Sequence, residues 1–365
     1  MHKFGAKWPL FSVKKRTLYL FLFLIAGSSA WAQYDSNYVR KFSNRLIISL
    51  FQTESKYTLS LDQPLVADTG KVSAPSWISP GNRISGFSID YDKLSLSLGF
   101  KTPRTDADIQ KRGKTVYNFL MASVSWKKFR FEGSYRNYKG FYDEKTPNYD
   151  TAFTPGNTVP YHLNPSLSSR DLRIKTLYFV NRKGRFNYNS AYSYTYRQLK
   201  TAGSFMLVGN LYHMDMASDT GFLPGPAVPF YDDWGKLKSY QAFGFSINPG
   251  YSFNLILGKR FFLNLTASLG TSLYHRTLKT LDDRTSMNNW AFQWAAGDFR
   301  AALGFSNNNF FMALNSKVDN TLFNQKRFNL ATSFYSGGFV IGYRFPFRER
   351  NWLKWLKETE VYKVI

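Results

Sequence analysis

Apolar and polar residues alternate one by one along most of this chain. From Ala242 to Leu257 one face reads Phe243, Phe245, Ile247, Tyr251, Phe253, Leu255 and Leu257, and the other Gly244, Ser246, Asn248, Ser252 and Asn254. A period of two puts these sets on opposite faces of a β-strand. Phe261, Leu263, Leu265, Ala267 and Leu269 alternate with Asn264, Thr266, Ser268 and Gly270, and Leu94, Leu96, Leu98 and Phe100 with Ser95, Ser97 and Gly99. Phe186 to Arg197 has the same form, with Phe186, Tyr188, Tyr192, Tyr194 and Tyr196 on one face and Asn187, Asn189, Ala191, Thr195 and Arg197 on the other.

The polar face is built of Ser, Thr, Asn and Gly with some Arg. A soluble sandwich packs large apolar residues inward and sets charge outward. Here the large residues are Phe, Tyr and Leu and their opposites are small or amide-bearing. That division suits lipid outside and a hydrated or hydrogen-bonded lumen inside, with a soluble β-rich secreted protein as the competing reading. The fold expected is all-β: a transmembrane, antiparallel, up-and-down β-barrel.

Tight turn signals (Asp92-Lys93, Lys127-Lys128, Arg182-Lys183-Gly184, Gly258-Lys259, Asn307-Asn308) alternate with longer polar, Pro- and Gly-rich stretches at 63–82, 102–113, 140–169, 214–238 and 277–289. Short turns at one rim and long loops at the other mark an outer-membrane barrel, the short ones facing the periplasm. Strands are predicted near 45–62, 83–91, 94–101, 114–126, 129–139, 170–181, 185–213, 240–257, 260–276, 290–305, 309–321 and 326–345. This gives about twelve, with ten or fourteen as alternatives, since such barrels take an even number. The stretch 185–213 is long enough for two strands. Splitting it would make the count odd, so it is read as one kinked strand or a strand followed by a loop that folds inward.

Composition adds a compartment. Residues 1–32 hold a basic segment (Lys3, Lys7, Lys14, Lys15, Arg16), a short apolar run from Thr17 to Gly27, and Ala30-Trp31-Ala32, the form of a signal peptide cleaved after Ala32. No later apolar run approaches the ~20 residues of a helical span. The expected organisation is a signal peptide (1–32), a barrel (33–347) and a periplasmic tail (348–365). In that tail Trp352, Trp355, Leu356 and Thr359 share one face of a short helix, suited to a membrane interface or to capping the barrel mouth. The chain has 0 Cys, hence neither disulfides nor a lipid-anchor cysteine. Aromatics make up 18% of residues, yet mean hydropathy is −0.35, as expected of aromatic girdles around a polar interior. The net charge is +24; the first 32 residues carry five of these charges and no acid, so +19 remains on the rest. In the envelope such a charge meets lipopolysaccharide and anionic lipid rather than nucleic acid, or simply lines a wet interior and the loops.

Near the C-terminus, Gly342, Phe345 and Phe347 have the Gly-x-x-aromatic-x-aromatic spacing typical of the signal read by the outer-membrane insertion machinery. The opening YDSNYVRKFSNRL, with Ser55-Lys56-Tyr57, Tyr138-Lys139-Gly140-Phe141-Tyr142, Ala202-Gly203-Ser204-Phe205 and Lys259-Arg260-Phe261-Phe262, resembles a Bacteroidota outer-membrane family classed as a domain of unknown function. The resemblance spans nearly the whole mature chain. It implies an outer-membrane barrel and brings no catalytic residues.

Chemistry is sparse. A lipid-modifying barrel of phospholipase or lipid A deacylase type needs a histidine base. The candidates are His213 and His275; His162 lies in a Pro-rich stretch and no partner motif fixes any of them. The acidic pairs Asp232-Asp233 and Asp282-Asp283, in expected outer loops, suit the site of an outer-membrane protease, or else cation ligands or simply solvated turns. No metal-ligand spacing, phosphate loop or cofactor motif is present. The apolar segment 222–231 either folds into the mouth or packs on its own strands. Inward-facing Arg130, Arg136, Arg173 and Arg197 would bias a lumen toward anions. The leading expectation is a monomeric, non-catalytic barrel that passes or binds small or lipidic molecules; the alternatives are a lipid-modifying enzyme and a structural or surface-binding protein.

Overall fold

A computed structural model describes residues 34–359 apart from 63–73, 127, 149, 151–152, 154–159, 182, 232–234, 325–328 and 349–350. The segment 1–32 and the pair Asp232-Asp233 therefore lie outside the described residues. The strands are β1 (Val39–Lys41), β2 (Arg45–Asp62), β3 (Ser76–Tyr91), β4 (Leu94–Lys101), β5 (Val116–Trp126), β6 (Phe129–Asp143), β7 (Leu163–Phe179), β8 (Tyr196–Gln198), β9 (Ala202–Ala217), β10 (Leu237–Leu257), β11 (Phe261–Thr280), β12 (Thr285–Ser306), β13 (Phe310–Asn324) and β14 (Asn329–Pro346). Twelve of them close an antiparallel barrel in the order β10-β11-β12-β13-β14-β2-β3-β4-β5-β6-β7-β9, while β1 and β8 form a separate two-stranded ribbon.

The alternation maps onto the wall as the pleat requires. Leu50, Leu96, Leu120, Ile174, Leu207, Phe245, Leu265 and Leu314 are exposed on the outer face, and Ser49, Asn254, Thr266 and Gln293 are buried on the inner one. A belt of exposed Leu, Ile and Phe around a polar interior is the surface of a transmembrane barrel. The connections near 92–93, 258–260 and 307–309 are tight and share one rim with Arg45 and Pro346. Positive φ at Asp92, Gly258 and Lys259 supplies the mirror-image turns that match strand twist.

Several boundaries shift. β3 begins at Ser76, inside the predicted 63–82 loop; β7 begins at Leu163; and β11 and β12 extend until only 281–284 joins them. Polar residues near the long-loop rim can still pair in a ladder above the apolar belt, which hydropathy alone does not show.

The larger correction concerns 185–213. The wall strand is β9, from Ala202 onward; residues 183–201 form an insert with a short helix, α2 (Asn189–Tyr192), and β8. Phe186, Tyr188, Ala191 and Tyr194 are buried. Tyr194 takes φ 55° and its ring stacks on Phe311 at 3.9 Å between centroids. The aromatic alternation there comes from rings turned into the barrel, not from a pleated lipid-facing strand. The insert precedes the wall strand rather than following it, and Gly184 (φ 61°) belongs to the bend that leads into it.

At the opposite rim the apolar loop folds in. Phe222, Leu223, Ala227 and Tyr231 pack with Tyr57, Trp77, Tyr240 and Phe323 in one buried cluster. Trp77 Nε1 donates to the Phe222 carbonyl at 2.5 Å and Tyr231 Oη to that of Leu61 at 2.7 Å. Of the two placements open for 222–231, the mouth is the one adopted. The C-terminal helix α3 (Asn351–Glu358) follows β14, with Trp355 exposed and Lys357 Nζ donating to Tyr91 Oη at 3.1 Å.

Candidate functional site

Between these two caps the lumen is crossed by a chain of ion pairs. Arg130 and Glu132 on β6 are 2.8 Å apart, and Glu132 meets Arg300 on β12 at 2.9 Å. Arg300 continues to Asp298 at 3.0 Å, and Asp298 to Lys175 on β7. Lys175 reaches Asp319 on β13 at 2.6 Å, which also holds Arg136 (3.2 Å) and Lys317 (3.1 Å). Three wall strands separate β7 from β12 and five separate β13 from β6, so these bonds run between facing arcs of the wall. Five cations and three carboxylates take part, which leaves two positive charges in excess. Arg173 pairs separately with Asp171 at 2.7 Å.

Charges this far from water persist because each carboxylate is met by more than one cation and by further hydrogen bonds. Tyr188 of the insert accepts from Arg300 Nη1 at 2.7 Å and Asn189 Oδ1 from Arg130 Nη1 at 2.8 Å. The insert is tied to the far wall as well: Tyr192 Oη donates to Asn264 Oδ1 at 2.7 Å, and Arg344 Nε to the Tyr194 carbonyl at 2.9 Å.

On the side of β2 to β5 the brace leaves a cavity of about 220 Å³. Serines 49, 55, 88, 95, 97 and 123 line it together with Phe51, Phe119, Tyr192, Phe334 and Phe339; its charged lining is Arg130, Arg136, Lys317 and Asp90. Arg136 is 1% exposed, its guanidinium 4.1 Å from the Phe334 ring centroid. Its Nη2 donates to Asp319, but Nε and Nη1 have no hydrogen-bond partner among the described residues. Asn315 Oδ1, on the same lining, is likewise buried and unpartnered. Buried donors left unmade are costly and call for an explanation.

Of the arginines expected inside, Arg130, Arg136 and Arg173 are buried in the lumen. Arg197 is not on the wall. It sits on β8 of the insert, donating to Asn308 Oδ1 (3.0 Å) and to the Lys259 carbonyl (2.6 Å) at the short-turn rim. Both candidate bases lie on the outer face. His213 is exposed between inward-facing Tyr212 and Met214, and His275 packs edge-on against exposed Trp290 at 5.4 Å. Neither can serve a reaction in the lumen. His162 Nε2 is 3.0 Å from Asp150 Oδ2, away from the lumen site. Asp282 and Asp283 pair with Arg284 and Lys238 at the surface. No cluster of three metal-ligating side chains occurs among the described residues.

Gly342 faces Phe311, where an added Cβ would lie 2.2 Å from the ring. Phe345 is exposed on the outer face and Phe347 packs edge-on against Tyr91 at 5.4 Å.

The brace residues that sequence reasoning missed carried a signal. Arg130-x-Glu132, Asp171-x-Arg173, Asp298-x-Arg300 and Lys317-x-Asp319 are opposite charges two apart, which a strand sets on one face.

A family model described as Domain of unknown function (DUF4421) matches residues 33–345. No curated protein matches the chain. Among solved structures the chain is similar to the outer membrane protease OmpT from Escherichia coli (10% identity over 84% of this chain and 98% of that one, TM-score 0.37). It is also similar to a Pseudomonas aeruginosa FadL homologue (8%, 84% and 91%, TM-score 0.29). A third likeness is to Ail, the attachment invasion locus protein of Yersinia pestis (9%, 83% and 100%, TM-score 0.21).

Proposed function

This chain belongs to the DUF4421 family, and we propose that it is an outer-membrane barrel that binds an amphipathic anion inside its wall rather than conducting through an open pore. The observation that carries this reading is Arg136. It is buried, its Nε and Nη1 have no hydrogen-bond partner among the described residues, and it lines a cavity whose other surfaces are mostly hydroxyls and aromatic rings. An oxygen of a carboxylate or phosphate would accept from one of these donors; Nε and Nη1 point to different sides of the guanidinium, so the second is left for another polar group of the ligand or a water. The two excess cations of the brace would offset its charge, and Phe51, Phe119 and Phe334 would take the apolar part.

The brace and both caps favour binding over passage, because ions would have to cross an apolar plug, a set of closed salt bridges and a packed insert. Orientation follows from the loops: the short-turn rim with both ends of the barrel faces the periplasm, and the 222–231 cap faces outward. The outward basic residues meet lipopolysaccharide and anionic lipid, and the strand ending in Gly342, Phe345 and Phe347 is what the insertion machinery reads.

The test is binding of a single-chain fluorescent carboxylate, cis-parinarate, to the purified barrel in detergent. Saturable binding is expected, weakened about tenfold or more by Arg136→Met, the scale of a lost hydrogen bond to a charged group. A wild-type barrel that binds neither parinarate nor a single-chain alkyl phosphate would overturn the reading.

A further inference from the structure

The wall beside this cavity is incomplete. β4 and β5 are joined by only four ladder pairs, Leu94↔Val124 to Ser97↔Met121. Beyond them Leu98–Lys101 stays paired to β3 on its other edge, and Val116–Leu120 to β6, but no ladder pair joins the two edges across the gap. The gap is closed above by side chains: Lys101 Nζ donates to the Thr115 carbonyl at 2.6 Å and Arg104 Nη1 to that of Gly113 at 2.9 Å. Its height is about four residues, or ~13 Å of strand.

The cause is legible in β3. The β2–β3 register shifts between Ser55 and Tyr57, skipping Pro80 and Gly81 on β3. A bulge at a residue without an N–H bends a strand away from its neighbours. Beyond it β3 leaves β4 and pairs with β6 through Trp77↔Asp143 and Ile78↔Tyr142. The rim therefore closes over the top of the β4–β5 hairpin, and the hairpin is left split beneath it.

The gap stands where a lipid would need it. Arg136 is the ladder partner of Phe119, so the orphaned guanidinium lies at the height of the unpaired β5 edge. Phe119 and Tyr117 line the cavity from that edge. Outside, Leu98, Phe100, Val116 and Leu120 are exposed, Phe100 at 66%. The cavity, about 220 Å³, is smaller than the ~300–1,000 Å³ of drug-sized sites, so it holds a head group and a short stretch of chain. A longer tail has to leave it.

We infer that the split between Leu98–Lys101 and Val116–Leu120 is a lateral window through which a single-chain anionic lipid passes between the bilayer and the cavity, its head on Arg136 and its tail in the window. This rests on the binding reading above and adds the route and the ligand class.

The experiment uses the absence of cysteine in the chain. The barrel carrying Leu98→Cys and Leu120→Cys is reconstituted in phosphatidylcholine vesicles and bridged with a short bis-maleimide. Exchange of parinarate from donor vesicles is expected to slow at least about tenfold once the cysteines are bridged, relative to the same variant left unbridged. In a second arm, Phe119→Cys is expected to react with a maleimide-bearing lipid dissolved in the bilayer, while Ser252→Cys, buried in the lumen on the doubly paired β10 and outside the cavity lining, is not. Unchanged exchange with normal affinity, or no labelling at position 119, overturns the window and leaves the binding site standing. Absence of parinarate binding by the unbridged protein refutes the binding reading instead, and the labelling arm still decides whether the wall opens to lipid.

Discussion

Lys175 and Asp319 are 144 residues apart in the chain, on β7 and β13, and their charged ends meet at 2.6 Å across the lumen. Asp319 also holds Arg136 and Lys317, so one carboxylate fixes three cations. Asp319→Asn keeps the shape and removes the charge. Leaving those cations uncompensated is expected to cost about 3–5 kcal/mol. Heat-modifiability on gels and guanidinium unfolding should both show the loss, and a midpoint unchanged from wild type would mean the brace is not structural.

The occluded lumen makes a direct prediction for planar bilayers. The wild-type barrel should show no steady conductance at moderate voltage. Stable open-channel steps from wild type would contradict the brace and the two caps together.

Trp77 ties the outer cap to the wall through the Phe222 carbonyl. Trp77→Phe leaves that carbonyl buried and unpaired, at a cost of about 1–3 kcal/mol. The loss should be local to residues 218–236, and limited proteolysis should cut there sooner than in wild type while the barrel core stays resistant.

The outward placement of His213 and His275 predicts that replacing both with Ala leaves parinarate affinity unchanged. A large loss of binding in that double variant would mean that one of them reaches the site.

Above the window, the Arg104 guanidinium lies 2.5 Å from the Asp108 carboxylate on helix α1 (Asp106–Arg112) and holds that carboxyl below its usual range. A carboxylate with a depressed folded value contributes stability above its unfolded value and loses it as pH falls through the folded one. Amide-exchange protection of α1 should therefore be flat from neutral pH down to about 4 and fall below that. Protection that declines already between pH 7 and 5 would rule out this tie as the one that holds the helix.

The sequence by itself determined the barrel. Lipid outside and a polar interior force a period of two on every wall strand, and an even strand count with tight turns on one side follows from antiparallel closure. Twelve strands and most of their ranges could be read from that rule; of the four arginines expected inside, Arg130, Arg136 and Arg173 are buried there, whereas Arg197 belongs to the insert. Tertiary structure decided what fills the barrel. Phe186 to Tyr194 alternate just as a wall strand does, and only the absence of a partner in the barrel ladder and the turn at Tyr194 show that these rings face the lumen. The paired charges on β6, β7, β12 and β13 were visible as i, i+2 pairs, but which of them meet depends on barrel closure. The window depends on a bulge in one strand altering the neighbours of another, a non-local relation that no pattern along β4 or β5 contains.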